Sequence, residues 1–287
     1  MAPSIVRVAS TLNEICIGLV GFNYEFNSLP SPSELAIAYE SLFIVDRVSK
    51  KLVEERYNEV KNGELKGKDL LSLLIKINIT LPAEEKMTDE ELKYQIMTFL
   101  FAGHETTSVS FAWALYLFAQ HPHEQDLLRE ELVKAFPDKS KFNPTYDEIN
   151  SLEYLNCVVK ETLRLNTSAI HVRRVNLKDE ILGNYFIPKL GILALHKSPE
   201  ICGPTAEDFD PKRWLDPSLT INVSNLSNYL PFFNGPRNCI GNKVALAEMK
   251  IVLGILIRNF GFQLIEGFNI RKRAFPAPIS KISCIHN

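Results

Sequence analysis

The chain has 287 residues, of which 46% are hydrophobic and 23% are charged, so it is long enough to bury a sizeable core. Its 32 basic and 34 acidic residues give a net charge of −2, which argues against a nucleic-acid-binding protein because such proteins carry an excess of positive charge. The five cysteines are widely spaced and include no C-x-x-C pair, so neither a secreted disulfide framework nor a zinc ribbon is predicted.

The first half of the chain is predicted to be helical. Residues 1–10 contain no apolar run of signal-peptide length, so we expect no targeting segment there. Apolar spacing and capping residues predict helices over residues 33–61, 69–77 and 88–120, and a further helix that begins at Pro122. The third of these helices opens on a capping box, in which Thr88 and Glu91 lie three residues apart.

Within the third predicted helix, residues 96–119 are long and apolar enough to resemble a membrane span. However, His104 and Glu105 lie near the middle of this stretch. A carboxylate at the centre of a bilayer costs about 2.5–3.5 kcal/mol even on the most lenient insertion scale. We therefore predict a helix that is buried in a protein core.

The second half of the chain changes character after Pro137. A polar connector leads to a predicted helix over residues 151–165, and short segments bounded by Gly, Pro and Asn follow it. The later elements are predicted strands at 172–177, 181–187 and 191–195, mostly loop and turn over 199–228, a helix over 242–260, and irregular or strand-like sequence to residue 287. The predicted class is mainly α with a minor β-sheet, in a single domain over residues 1–287.

The strongest motif is FFNGPRNCIG, which matches the pattern F-x-x-G-x-R-x-C-x-G at every fixed position. These positions are Phe232, Gly235, Arg237, Cys239 and Gly241. The glycines permit a tight loop around the sulfur, and Cys239 precedes a helix whose amino end favours a thiolate. Such a thiolate can be the axial ligand of haem iron, with Arg237 paired to a carboxylate of the macrocycle and Phe232 shielding the sulfur. The alternative, a small buried hydrophobic residue, is our interpretation of the other four cysteines.

At these residues the chain resembles the cytochrome P450 family of haem-thiolate monooxygenases, and the resemblance covers essentially its whole length. It implies the cytochrome P450 fold, haem b (iron protoporphyrin IX) as the cofactor, and Cys239 as the ligand of the haem iron. Residues 11–27 already resemble an interior helix of the family and the loop after it, and the strand pair around residues 188–196 is shorter than the family's. We therefore expect only the carboxy-terminal portion of the fold, from an amino-terminally truncated, fungal-type microsomal member.

The segment AGHETT in the long apolar helix matches the family's A-G-x-E-T-T motif, which lies over the oxygen-binding face of the haem. The resemblance implies that Ala102 and Gly103 line the cofactor and that His104, at a variable position, packs rather than ligates. A glycine in mid-helix costs about 1 kcal/mol relative to alanine, and an acid beside a hydroxyl is costly in an apolar helix. Together these residues predict a local opening in the helix that binds water or dioxygen, with Glu105 and Thr106 passing protons to a reduced oxygen species. The alternative for Thr106 is a hydroxyl that bonds back into its own helix.

The pair Glu161 and Arg164 forms an E-x-x-R motif on one helix face. The family places this pair in a buried triad with an arginine from a later loop, and Arg213, in the matching P-x-R-W motif, is the implied third member. We expect this triad to be structural, because in the family it braces the loop that presents Cys239.

A second arginine of the family often contacts a haem propionate, and Arg174 falls at that position. Its neighbour Arg173 is the alternative, since successive strand residues face opposite sides and only one of the two can point at the haem. Residues 167–172 would then line the substrate side.

The resemblance thus implies a haem-thiolate monooxygenase that inserts one oxygen atom of O2 into a small apolar organic substrate, with electrons from an NADPH-dependent reductase. One alternative is a haem-thiolate enzyme that rearranges peroxides without O2, which loss of Thr106 would have favoured. The other is an inactive haem-domain fragment or a helical binding module. The family pattern implies the cytosolic face of the endoplasmic reticulum membrane, although we expect no anchor within these residues, and no nucleic acid is expected as a partner.

Overall fold

The computed structural model describes residues 42–64, 67–138, 142–169, 196–218 and 228–264. Regular structure within these ranges is entirely helical. The predicted strands at 172–177, 181–187 and 191–195 lie outside the described residues, so the minor sheet stays a prediction. Contacts along the chain define two compact units, one ending at Ser108 and the other beginning at Val109.

The first unit contains helix α1 (Leu42–Lys61), helix α2 (Leu70–Thr80) and the amino-terminal part of helix α3 (Asp89–Gln120). Its core consists of apolar side chains that these helices bury together: Val45, Leu52, Val53, Leu71, Ile75, Leu92, Ile96 and Leu100. The Asp69 carboxylate caps α2 by accepting from the Ser72 amide at 2.9 Å. Helix α2 continues three residues beyond the predicted end at Ile77.

Helix α3 begins as the sequence predicts. The Thr88 hydroxyl accepts from the Glu91 amide at 3.2 Å, and the Glu91 carboxylate accepts from the Thr88 amide at 2.7 Å, which completes the predicted capping box. Phe111 and Phe118 are buried, whereas Phe101 is 47% exposed. No helix among the described residues has the length and apolar character needed to cross a membrane.

The second unit packs helix α4 (Pro122–Ala135), helix α5 (Tyr146–Ser151), helix α6 (Glu153–Leu165) and helix α8 (Asn242–Asn259) against one another. Gly254 lies where α8 approaches its neighbours, since a Cβ atom there would come within 3.2 Å of the Phe142 ring. The segment between 196 and 218 includes two short helical pieces, helix α7 (Pro199–Cys202) and a 3₁₀ turn (Pro211–Trp214).

Helix α5 corrects the predicted polar connector after Pro137. Its six residues are too few to show an apolar period, but Thr145 and Glu148 form a complete capping box at its start. Helix α6 begins at Glu153, two residues after the predicted start, because residues through Ser151 belong to α5. Helix α8 agrees with the prediction to within one residue at its end.

Candidate functional site

The cysteine loop, residues 228–241, is a series of turns that ends where α8 begins. The Cys239 amide donates to the Phe232 carbonyl at 2.9 Å, which closes the loop on itself. Within this closure the Asn238 amide donates to the Gly235 carbonyl at 3.1 Å. Gly235 has φ 85°, a left-handed conformation that glycine adopts readily. Phe233 has φ 60°, which is costly for a bulky residue and persists only where surrounding contacts enforce it.

The Cys239 side chain is partly exposed at the amino end of α8. Gly241 caps this helix, and its carbonyl accepts from the Ala245 amide at 2.9 Å. A Cβ atom at Gly241 would lie 4.0 Å from the sulfur, so a glycine there leaves one side of the sulfur open. The free N–H groups and the dipole at the start of α8 attract negative charge. The loop therefore presents a sulfur in surroundings that suit a metal-ligating thiolate.

Further side chains of the loop and of the first turn of α8 are exposed to solvent. Arg237 makes no hydrogen bond or ion pair within the described part of the chain, so its guanidinium is available to an anionic partner. Ile240, next to the cysteine, is 83% exposed, and Val244 in the first turn of α8 is 51% exposed. Exposed apolar side chains beside a sulfur and a cation form a chemically mixed surface, which suits a ligand that is apolar in its body and anionic at its edge.

The structure brings the predicted triad together on α6 and the 3₁₀ turn. Glu161, Arg164 and Arg213 are all at most 1% exposed. Arg164 binds the Glu161 carboxylate through two N–H groups, both at 2.8 Å, and Arg213 Nε reaches the same carboxylate at 3.4 Å. The carboxylate also accepts from Trp214 Nε1 at 3.0 Å and from the Asp210 amide at 3.1 Å. A single buried anion therefore organises two cations and the turn that carries one of them.

Further donors of the two arginines bind backbone carbonyls of the segment 196–208. Arg164 donates to the carbonyls of His196 at 2.8 Å, Ala206 at 2.6 Å and Asp208 at 3.1 Å. Arg213 donates to the carbonyls of Cys202 and Thr205, the latter at 2.6 Å. The triad thus fixes the path of residues 196–208, which precede the 3₁₀ turn.

The predicted proton-transfer motif lies on α3, in the first unit, and the cysteine loop lies in the second, so each is described by itself. Helix α3 remains α-helical through the motif, which corrects the predicted local opening. The Thr106 hydroxyl donates to the Ala102 carbonyl at 2.7 Å, which is the alternative predicted for this residue. The Ala102 carbonyl is therefore hydrogen-bonded without a break in the helix. The Glu105 carboxylate lies 3.7 Å from His104 Nδ1, and His104 is buried.

Part of the expected cofactor and substrate surface lies outside the described residues. Arg174 and its alternative Arg173 are in this group, so their proposed contact with a propionate stays a prediction. Where the described chain ends before them, the hydroxyls of Ser168 and Ser110 are 2.8 Å apart. This bond fixes the segment after α6 against α3 within the second unit.

The sequence reasoning missed His196, which is 1% exposed and contacts both the triad and the cysteine loop. No local pattern marks a single histidine between a predicted strand and a short helix. Trp214, which donates to Glu161, was present in the P-x-R-W motif, and an indole N–H at a buried position is a signal that a polar partner is nearby.

The family model, the related proteins and the solved structures that match this chain all point to one family. The family model "Cytochrome P450" matches residues 22–279. Cytochrome P450 monooxygenase 205 of Postia placenta is 32% identical, over 91% of this chain and 61% of that protein. The bifunctional cytochrome P450/NADPH–P450 reductase 2 of Bacillus subtilis is 34% identical, over 89% of this chain and 27% of that protein. The crystal structure of the cytochrome P450DA heme domain superposes with a TM-score of 0.78 at 27% identity, over 94% of this chain and 64% of that one. The chain therefore spans less than two thirds of the length of each of these proteins.

Proposed function

This chain belongs to the cytochrome P450 family, and we propose that it is a haem-thiolate monooxygenase that inserts one oxygen atom of O2 into a small apolar organic substrate. The observation that carries the proposal is the closed loop around Cys239, with the partly exposed sulfur at the amino end of α8. The mainly helical structure and the names of the relatives support the same assignment.

The residues of the cysteine loop fit haem b. Cys239 offers an anionic sulfur to the iron, and Gly241 leaves room beside that sulfur, with a Cβ position 4.0 Å away. The exposed guanidinium of Arg237 can pair with a haem propionate. Phe232, whose carbonyl accepts from the Cys239 amide, shields the sulfur. The haem, when bound, supplies an iron centre at which O2 is activated with electrons from a reductase.

Glu105 and Thr106 hold and move the protons that oxygen reduction consumes. The Thr106 hydroxyl donates to the Ala102 carbonyl, and a hydroxyl oxygen can accept a hydrogen bond as well as donate one. Glu105 is 15% exposed, which leaves a path from its carboxylate to solvent. Ala102 and Gly103 keep the helix surface beside them small, so a planar cofactor can approach it closely.

The triad of Glu161, Arg164 and Arg213 acts as structural support and not in the chemistry. Its donors bind the backbone that precedes the cysteine loop, and none of its members is exposed. It restricts where the loop can place the sulfur, which matters because a metal ligand displaced by a fraction of an ångström changes the bond it makes.

The electron donor is an NADPH-dependent reductase, and the site of action is the cytosolic face of the endoplasmic reticulum membrane. A reductase is supported by the Bacillus subtilis relative, whose name joins a cytochrome P450 to an NADPH–P450 reductase. The fungal relative supports a fungal-type member of the family.

The deciding experiment is reconstitution with haemin followed by the reduced carbon monoxide difference spectrum. The unmodified chain gives a thiolate-type band, and Cys239→Ser loses it, because an alcohol of far higher pKa cannot supply the anionic ligand. The control is Cys157→Ala, which removes a buried thiol of α6 instead of the motif cysteine and keeps the band.

Two results would contradict the proposal. A thiolate-type band in Cys239→Ser would place the iron ligand elsewhere. No haem binding by the unmodified chain would favour the alternative of an inactive fragment.

A further inference from the structure

We propose that His196 is a positioning residue for the cysteine loop: its imidazole holds the Leu230 amide and thereby transmits the rigidity of the buried triad to the sulfur of Cys239. This inference rests on the proposed function, because it concerns the placement of the same ligand. Four contacts of His196 carry it, together with the two hydrogen bonds that lead from Leu230 to Cys239, all within the second unit.

The backbone of His196 is anchored to the triad. Its carbonyl accepts from Arg164 Nη1 at 2.8 Å and from the Cys202 thiol at 3.1 Å. Since Arg164 is itself locked to Glu161 by two bonds of 2.8 Å, the His196 backbone cannot shift without disturbing a fully buried ion pair.

The His196 ring is held from the other side by the start of the cysteine loop. Its Nε2 accepts from the Leu230 amide at 2.8 Å, and its ring packs on Tyr229 with centroids 5.4 Å apart. The Tyr229 hydroxyl donates to the Lys160 carbonyl on α6 at 3.1 Å. Residues 229 and 230 are therefore fixed by two side chains that connect to α6.

The loop carries this restraint to the cysteine in two steps. The Leu230 carbonyl accepts from the Phe233 amide at 3.1 Å, which sets the turn that contains Phe232. The Phe232 carbonyl then accepts from the Cys239 amide at 2.9 Å. Phe233, in this turn, has a left-handed φ of 60°, a costly conformation that persists only where surrounding contacts hold it.

The function of His196 requires the neutral ring, because Nε2 can accept from Leu230 only when it carries no proton. The surroundings keep it neutral: burial, and next the charge of Arg164, lower the pKa of His196 to about 4. Phenylalanine or leucine at this position would fill the space but offer no acceptor to the Leu230 amide.

The test compares His196→Gln, whose side-chain oxygen can replace Nε2 as the acceptor, with His196→Leu, which has none. The control is His121→Leu, since His121 also packs on an aromatic ring, Phe209 at 5.3 Å, but does not contact the loop. The first readout is hydrogen exchange at the Leu230 amide, relative to amides of α8, in the chain without haem. We expect about tenfold faster exchange in His196→Leu, the fold-change of one lost hydrogen bond, and little relative change in the other two variants.

The second readout is the lifetime of the thiolate-type carbon monoxide band in the haem-loaded chain. It shortens by about tenfold in His196→Leu, is restored in His196→Gln, and is unaffected by His121→Leu. Unchanged exchange at Leu230 in His196→Leu, or identical behaviour of the Leu and Gln variants, would overturn the proposal. If the unmodified chain gives no thiolate band, the proposed function fails, while the exchange experiment still decides the role of His196.

Discussion

Replacement of the buried Glu161 by glutamine is expected to destabilise the second unit by about 3–5 kcal/mol, the cost of removing one partner from a buried ion pair. The carboxylate accepts five hydrogen bonds: Arg164 Nη2, Arg213 Nε and the Asp210 amide reach one oxygen, and Arg164 Nε and Trp214 Nε1 reach the other. In Glu161→Gln one oxygen becomes an NH2 group that faces donors. At least two of the five bonds are lost whichever way the amide turns, and both guanidinium groups lose their buried counter-charge.

Urea unfolding followed by tryptophan fluorescence measures this loss, because Trp214 itself donates to Glu161 and senses the change. The matched control is Glu153→Gln in the first turn of the same helix, where the side chain is exposed and the expected effect is within about 0.5 kcal/mol. A loss below about 1 kcal/mol in Glu161→Gln would refute the reasoning, since it would mean that the buried anion is not what neutralises the two arginines.

Three further predictions concern single side chains. Thr106→Ala is expected to leave haem binding intact while diverting electrons to hydrogen peroxide, and Thr106→Ser, which restores the hydroxyl, is expected to recover product. Equal peroxide-to-product ratios in the unmodified chain and both variants would show that Thr106 takes no part in proton transfer. Burial and the charge of Arg164 lower the pKa of His196 to about 4, so the unfolded state binds more protons than the folded state between pH 6.5 and pH 4. As pH falls through this window, His196 therefore reduces the free energy of unfolding by up to about 3 kcal/mol. The difference in urea midpoint between the unmodified chain and His196→Gln should shrink or reverse over that window, and a difference that does not vary with pH would contradict it. Asn78→Ala is expected to cost about 1–3 kcal/mol, because Asn78 accepts from the Met87 amide at 2.8 Å and donates to its carbonyl at 2.9 Å; denaturation of the first unit measures this, and a neutral result would show that water replaces both bonds.

Local signals predicted most of the helices. The capping box of Thr88 and Glu91 and the proline at 122 mark where α3 and α4 begin, because both act within one turn of the chain. Helix α5 escaped prediction because six residues show no apolar period, although its own capping box at Thr145 was present in the sequence. The predicted sheet lies outside the described residues, so it stays a prediction.

The site was predictable to the extent that its residues lie close together in sequence. The cysteine motif spans ten residues, and its loop closes through the hydrogen bond from the Cys239 amide to the Phe232 carbonyl, with Gly235 in the left-handed conformation. The link from His196 to Leu230 joins residues 34 apart and leaves no local trace. The state of Thr106 also could not be predicted, since a hydroxyl in a helix can bond back to its own turn or face a ligand, and packing decides between the two.

The buried triad stabilises the fold less than its number of hydrogen bonds suggests, because two cations and an anion lose their hydration on burial. Every one of the five N–H donors of Arg164 is used, two on Glu161 and three on the carbonyls of His196, Ala206 and Asp208. A hydrophobic cluster of the same volume would stabilise the unit comparably, but it could not fix the positions of three carbonyls. The arrangement is therefore better explained by geometry than by stability. Since His196 connects one of those carbonyls to the cysteine loop, we propose that the benefit of the buried charges lies in where the Cys239 sulfur is held.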